Sequence, residues 1–113
     1  MDVRFVYITA GSKHEAMTIA RKLVSSRLAS CANIVDPVHS LYWWNGKIQE
    51  HLEAIIIAKT RQDRVDDLIR GVKSMHSYDC PCIVTLPILE GHTPFLEWVA
   101  RETDNALGQG DEG

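Results

Sequence analysis

The sequence contains little of what marks several large classes of protein. Only three of its 113 residues are cysteine, too few for the disulfide framework of a small extracellular fold. The longest uninterrupted apolar run covers residues 54–58, far short of the roughly 18 residues that a membrane-spanning helix needs. Charged Asp2 and Arg4 follow Met1, where a secretory signal would place an apolar stretch. We therefore expect a cytoplasmic chain with free thiols and no membrane partner.

The sequence also lacks an excess of positive charge. Twelve Lys and Arg residues stand against fifteen Asp and Glu, which gives a net charge of -3 at pH 7. Nucleic acid binding depends on a basic surface that neutralises phosphate groups, and this charge balance argues against one. No Gly-rich loop is present to hold a nucleotide phosphate. We therefore predict no nucleic acid partner.

What the sequence does contain is an alternation of strand and helix patterns in a single domain. The predicted elements are a strand at 3–9, a helix from a capping box at Ser12 and Glu15 to about Leu28, strands at 31–44 and 47–59, a helix capped by Thr60, a strand at 83–86, and a short helix capped by Thr93. This order predicts an α+β fold, a ferredoxin-like split βαβ sandwich with an antiparallel sheet. We expect one domain over residues 1–103 and a mobile tail over 104–113.

The hairpin joined at Asn45-Gly46 is longer than one sheet requires. Asn-Gly is the strongest short hairpin signal, and each arm could extend roughly 40 Å at 3.3 Å per residue. Residues 54–58 and 83–86 are apolar at nearly every position, a pattern typical of strands that are covered on both faces. The predicted helices cover one face well. We therefore expect another subunit to cover the second face and to receive the projecting hairpin.

Functional side chains are densest over residues 76–82. His76, Cys80 and Cys82 combine an imidazole with two thiols, donors that suit copper(I) or zinc. On an extended strand the two thiols lie about 7 Å apart, so one ion needs a bend at Pro81 or ligands from another subunit. The alternative is that both cysteines pack as small apolar side chains.

Two other features allow more than one interpretation. Cys31 begins a strand after a helix, which favours a buried structural thiol over a nucleophile, because no catalytic base is placed near it in the sequence. Trp43 and Trp44 could stack on bases, but the few neighbouring cations favour a protein interface. We assign no catalytic residue and expect a protein that is not an enzyme.

Seven short motifs follow one another along most of the chain, between residues 6 and 102. They are residues 27–34, Tyr42 with Trp44, Gly46 and Lys47, Lys59-Thr60, His76 with Tyr78 and Pro81, Leu86-Pro87, and residues 95–98. Taken together, they resemble the CutA family of divalent-cation-tolerance proteins. This resemblance implies a ferredoxin-like homotrimer, similar in architecture to the PII signal-transduction proteins, with a role in tolerance of copper and other divalent ions.

The resemblance also implies a cleft between subunits. The residues that match its lining are Cys31, Asn33, Trp44, Lys59, His76 and Tyr78. Two positions depart from the family pattern: Ser77 replaces a proline, which removes a constraint on the turn, and Cys82 replaces a glutamate, which exchanges a hard oxygen ligand for a soft sulfur.

Two functions remain open at this point. The first is a trimeric cytoplasmic tolerance protein that binds copper or a similar ion, with His76, Cys80 and Cys82 as ligands. The alternative is a PII-like sensor that binds a small anionic ligand in the cleft between subunits through Lys59, His76 and Tyr78.

Overall fold

The computed structural model of the protein describes residues 2–108. The elements in chain order are β1 (Val3–Ala10), α1 (Lys13–Ser25), β2 (Cys31–Trp44), β3 (Lys47–Arg61), a 3-10 turn (Gln62–Arg64), α2 (Val65–Met75), β4 (Ile83–Pro87) and α3 (Thr93–Glu102). The four strands form one antiparallel sheet in the order β2-β3-β1-β4, which confirms the predicted α+β, ferredoxin-like split βαβ arrangement. Within the described residues, no helix is long and apolar enough to cross a membrane.

One face of the sheet forms the core together with α1 and α2. Successive side chains of a strand point to opposite faces, so every second residue of β1 and β3 points toward these helices. Ile8 and Ile56 are fully buried there, in one cluster with Leu23 of α1 and Leu68 of α2. We call this the helix side of the sheet.

The opposite face, which we call the open face, is apolar but uncovered over much of its area in the single chain. Tyr7 pairs with Ile57 on one side and with Val84 on the other, which places an apolar row across three strands. Val84 is 51% exposed and Leu86 is 58% exposed. Apolar surface of this extent is typical of a surface that another protein chain covers.

The hairpin forms as predicted. Asn45 and Gly46 have φ angles of 52° and 74°, the left-handed values that a type I′ turn requires. β2 carries one extra residue between Val35 and Val38, because these residues pair with Ile55 and Glu53 respectively. We call the part of the hairpin beyond this bulge, residues 38–53, the arm. Its large apolar side chains are mostly exposed, Trp43 to 71%; the others are Leu41, Tyr42, Trp44, Ile48 and Leu52.

The first helix cap is confirmed in part. The Ser12 hydroxyl accepts a hydrogen bond from the backbone N–H of Glu15 at 3.1 Å, as the capping box predicts. The return bond differs, because the Glu15 carboxylate accepts from the N–H of Gly11 at 2.9 Å. The side chain of Glu15 is thereby directed toward the end of β1, where the candidate site lies.

The other two predicted caps are wrong. β3 continues past Thr60, which is fully buried, and a 3-10 turn precedes α2, whose start has no side-chain cap. The Thr60 hydroxyl is one of the buried polar atoms of residues 2–108 that have no hydrogen-bond partner. Thr93 is the first residue of α3, and the preceding His92 occupies the cap position without a side-chain hydrogen bond.

The first helix is shorter than predicted. α1 ends at Ser25, before the predicted end near Leu28, because Arg27 adopts a left-handed φ of 65°. The Arg27 guanidinium then contacts the Glu102 carboxylate at 2.6 Å and donates to the Gly108 carbonyl at 2.8 Å. Gly108, in the first part of the predicted tail, thus contacts the body of the domain. The mobility of residues 104–113 stays a prediction, and residues 109–113 lie outside the described residues.

Candidate functional site

The candidate site centres on the connection between α2 and β4, residues 76–82, which we call the thiol segment. It begins at His76, whose side chain is completely buried. The His76 Nε2 lies 2.7 Å from the carbonyl oxygen of Thr9, and its Nδ1 lies 3.0 Å from the backbone N–H of Tyr78. A carbonyl can only accept and a backbone N–H can only donate, so the partners assign the proton to Nε2. Both ring nitrogens are therefore occupied.

Glu15 joins the thiol segment to the start of α1. One carboxylate oxygen accepts from the Gly11 N–H at 2.9 Å and the other accepts from the Ser77 N–H at 2.7 Å. Burial of this side chain acts to raise its pKa, but the hydrogen bonds from Gly11 and Ser77 outweigh that effect. The pKa of Glu15 therefore lies below its ordinary value, and the carboxylate stays ionised at neutral pH.

Tyr78 joins the thiol segment to the arm. Its hydroxyl donates to the Glu53 carboxylate at 2.8 Å, and Glu53 is only 6% exposed. Burial, with the hydrogen bond to Glu53 and its negative charge, raises the pKa of Tyr78 well above the ordinary value. Gly11 makes room for this contact, since a Cβ at that position would lie 3.3 Å from the Tyr78 hydroxyl.

The two cysteines of the thiol segment are exposed and free. Residues 77–80 form bends. The carbonyl of Cys82, just before β4, accepts a hydrogen bond from the Thr9 N–H at 3.3 Å. Within residues 2–108, no group of three or more His, Cys, Asp or Glu side chains is close enough to hold a metal ion. The single chain does not bring His76, Cys80 and Cys82 together as a ligand set, because both ring nitrogens of His76 contact backbone groups while the two thiols are exposed.

A second group of predicted residues lies on the open face. Cys31 and Lys59 are directly paired across β2 and β3, and the Lys59 ammonium is 3.4 Å from the side-chain oxygen of Asn33. Lys59 forms no ion pair with any described residue. Cys31 is partly buried, and its sulfur lies 3.7 Å from the Ser30 hydroxyl.

The six predicted cleft residues do not meet within one chain. Lys59 and Glu53 are six residues apart on β3, so about 20 Å separates the Lys59 group from the contact of Tyr78 with Glu53. Trp44 lies beside the turn at the tip of the arm, farther still. A single cleft would need contributions from more than one copy of the chain.

Comparison with known proteins places this arrangement in a family. The family model described as "CutA1 divalent ion tolerance protein" matches residues 4–102, nearly the whole described chain. The chain belongs to the CutA1 family. This assignment confirms the resemblance inferred from the seven motifs, and the description of the family names tolerance of divalent ions, not a reaction.

Individual relatives agree with the family assignment. This CutA1-family chain is 45% identical over 95 residues to the divalent-cation tolerance protein CutA of Archaeoglobus fulgidus, covering 84% of this chain and 92% of that one. It is 41% identical over 98 residues to "Protein CutA 1, chloroplastic" of Oryza sativa, covering 87% of this chain but only 55% of the rice protein. The crystal structure of CutA1 from Oryza sativa matches with a TM-score of 0.90 at 38% identity, over 93% of this chain and 96% of that one.

Two acidic residues of this site are missing from the sequence-based prediction. Glu53 directly precedes the apolar run 54–58, where a buried carboxylate needs a hydrogen-bond partner. This position indicates a polar contact of Glu53 from the sequence alone. Glu15 was predicted only as part of a cap. Its bond to Ser77 spans 62 residues, and no local pattern indicates it.

Proposed function

We propose that this CutA1-family chain acts as a cytoplasmic homotrimer that is not an enzyme and contributes to tolerance of metal ions by binding a soft ion such as copper(I). The observation that carries the proposal is the pair of exposed thiols, Cys80 and Cys82, in a chain whose family is described by divalent ion tolerance. Two thiolates suit a reduced copper ion, which accepts few, soft ligands. The thiols lose their protons when the ion binds.

The exposed apolar surface supports the trimer. Val84 and Leu86 on the open face, with Trp43 on the arm, expose more apolar area than an isolated domain usually leaves in water. A neighbouring copy supplies the matching cover, with the arm of one copy lying on the next. The same association brings metal-ligating side chains of a second copy close to the thiols. These side chains serve as the further ligands of the ion, because His76 is occupied by backbone partners.

Competition against a calibrated copper(I) chelator tests the metal proposal. We expect wild type to take copper(I) from the chelator, and the double variant Cys80→Ser, Cys82→Ser to lose at least about tenfold in affinity. The matched control is Cys31→Ser, which removes the third thiol and should bind as wild type does. Equal binding by wild type and the double variant would assign the segment a packing role and overturn the proposal.

Native mass spectrometry and sedimentation test the assembly. We expect a trimer at micromolar concentration with no monomer. A well-folded monomer under these conditions contradicts both the trimer and the role of the arm.

A second candidate rests on the Lys59 group. Lys59 lies on the open face without an ion pair among the described residues, and only the Asn33 amide oxygen is near its ammonium. A cation in this position suits a small anionic ligand held between subunits, as in a PII-like sensor. His76 and Tyr78 offer it little, because their polar atoms already have partners. Isothermal titration with ATP and with inorganic phosphate, on wild type and Lys59→Gln, distinguishes this function, and no binding by wild type rejects it for these anions.

A further inference from the structure

A buried carboxylate at the root of the arm has no part in either proposed binding reaction. Glu53 lies opposite Val38, where the extra residue of β2 ends and the arm begins. It is 6% exposed, and the Tyr78 hydroxyl donates to it at 2.8 Å. A hydrogen bond to an ionised group is shorter and stronger than one between neutral groups, and burial keeps water from replacing it.

The other end of this contact belongs to a segment that is fixed at several points. The backbone N–H of Tyr78 donates to His76, and the N–H of Ser77 donates to Glu15. His76 in turn donates to the Thr9 carbonyl. A displacement of the thiol segment therefore also moves Tyr78, because these hydrogen bonds fix the segment on both sides of His76.

We infer that Glu53 is a positioning residue that couples the thiol segment to the arm through the Tyr78 hydroxyl. The contact is the one side-chain hydrogen bond between residues 76–82 and the arm among the described residues. Binding at the thiols therefore changes the stability of the arm. Docking of the arm on a neighbouring copy changes the stability of the thiol segment by the same coupling free energy. The metal-dependent half of this inference rests on the proposed function, whereas the coupling itself does not.

Hydrogen exchange of the metal-free protein tests the coupling in both directions. Tyr78→Phe should raise exchange about tenfold in peptides from residues 47–53, and Glu53→Ala should raise it about tenfold in residues 76–82, since each change removes a hydrogen bond to a charged group. Glu53→Gln keeps an acceptor oxygen and should stay within about threefold of wild type. Residues 13–25 of α1 serve as the reference for global unfolding and should not change.

Tyr42→Phe is the matched control. It removes a hydroxyl that contacts His51 within the arm, so exchange should rise in the arm and stay as in wild type over residues 76–82. The inference is overturned if Tyr78→Phe and Glu53→Ala each raise exchange only in their own segment, or if Glu53→Gln behaves as Glu53→Ala does.

Copper(I) buffered by the competing chelator supplies the second half of the test. Wild type with bound copper(I) should show slower exchange in residues 47–53, and Tyr78→Phe should lose this response while the chelator assay still reports binding. Bound copper(I) that changes exchange only over residues 76–82 of wild type contradicts the coupling. Wild type that takes no copper(I) from the chelator rejects the proposed function instead, and the metal-free measurements then decide the coupling alone.

Discussion

The two faces of the sheet carry similar side chains but have opposite environments. Ile56 on the helix side is fully buried, whereas Leu86 on the open face is 58% exposed. Both are aliphatic residues on neighbouring parts of the same sheet, and burial of either side chain stabilises by roughly 1.5–3 kcal/mol. The difference teaches that one apolar surface is completed within the chain by α1 and α2, whereas the other stays uncovered in a single chain and is the surface that the proposed homotrimer would bury.

The largest expected effect comes from a charge on the open face. Leu86→Asp should weaken association by about 3–5 kcal/mol per subunit, because each interface would bury an unpaired carboxylate. Sedimentation should then show smaller species that retain the secondary structure of wild type. Thr18→Asp, which adds the same charge on the exposed side of α1, should leave the assembly intact. A normal Leu86→Asp trimer would mean that the open face stays in water.

A cavity on the helix side should act on folding instead. Ile56→Ala should lower the free energy of unfolding by about 2–5 kcal/mol, since the site is fully buried among α1 and α2 side chains. Urea unfolding followed by circular dichroism measures the change. If Ile56→Ala dissociates the assembly at unchanged subunit stability, the two faces have been assigned the wrong way round.

A substitution in the turn of the arm should have a smaller effect than either of the substitutions on the two faces of the sheet. Gly46→Val should cost about 1–3 kcal/mol, because a β-branched residue resists the φ of 74° at this position. No heavy atom lies within 4 Å of the place where a Cβ would stand, so the cost is conformational and not a clash. The melting temperature is expected to fall, and Gly46→Asn, which tolerates positive φ, should recover most of it. Equal melting temperatures for Gly46→Val and wild type would contradict the turn assignment.

The smallest effect depends on pH. Glu15 has a lowered pKa in the folded chain, so its contribution is present above the unfolded pKa and is lost as pH falls through the folded one. Glu15→Gln keeps one acceptor for two N–H groups and should cost about 1 kcal/mol at pH 7. Melting temperatures of the two proteins should therefore converge as the pH is lowered below 4. A difference that is independent of pH would show that the charge of Glu15 is not what binds Gly11 and Ser77.

Local patterns predicted most of the fold. The Asn45-Gly46 turn, the strand predicted at 3–9 and the Ser12 cap depend on neighbouring residues, and all three are present. The Thr60 cap failed because pairing of Arg61 with Val3 extends β3, a long-range contact that overrides the local preference for a cap.

The candidate site was less accessible to sequence reasoning. The segment 76–82 could be singled out by its composition, but the contacts of Tyr78 with Glu53 and of Ser77 with Glu15 span 25 and 62 residues. His76 is occupied by other contacts, with the Thr9 carbonyl and the Tyr78 N–H, and the first of these spans 67 residues. In the proposed trimer, the donors that meet the thiols would depend on how the copies pack, and no local sequence pattern indicates that packing.

The extra residue between Val35 and Val38 shifts the numbering of the arm without exchanging its surfaces. Before it, odd-numbered residues of β2 pair with odd-numbered residues of β3; after it, even-numbered residues such as Val38 do. Removal of a single residue here would let the chain from Val35 to Val38 pair continuously with the chain from Ile55 to Glu53, so Trp43 and Trp44 would keep their faces and only the bend and added twist of the bulge would be lost. A one-residue deletion would thus change the direction in which the arm leaves the sheet, while every pair of the hairpin keeps its register.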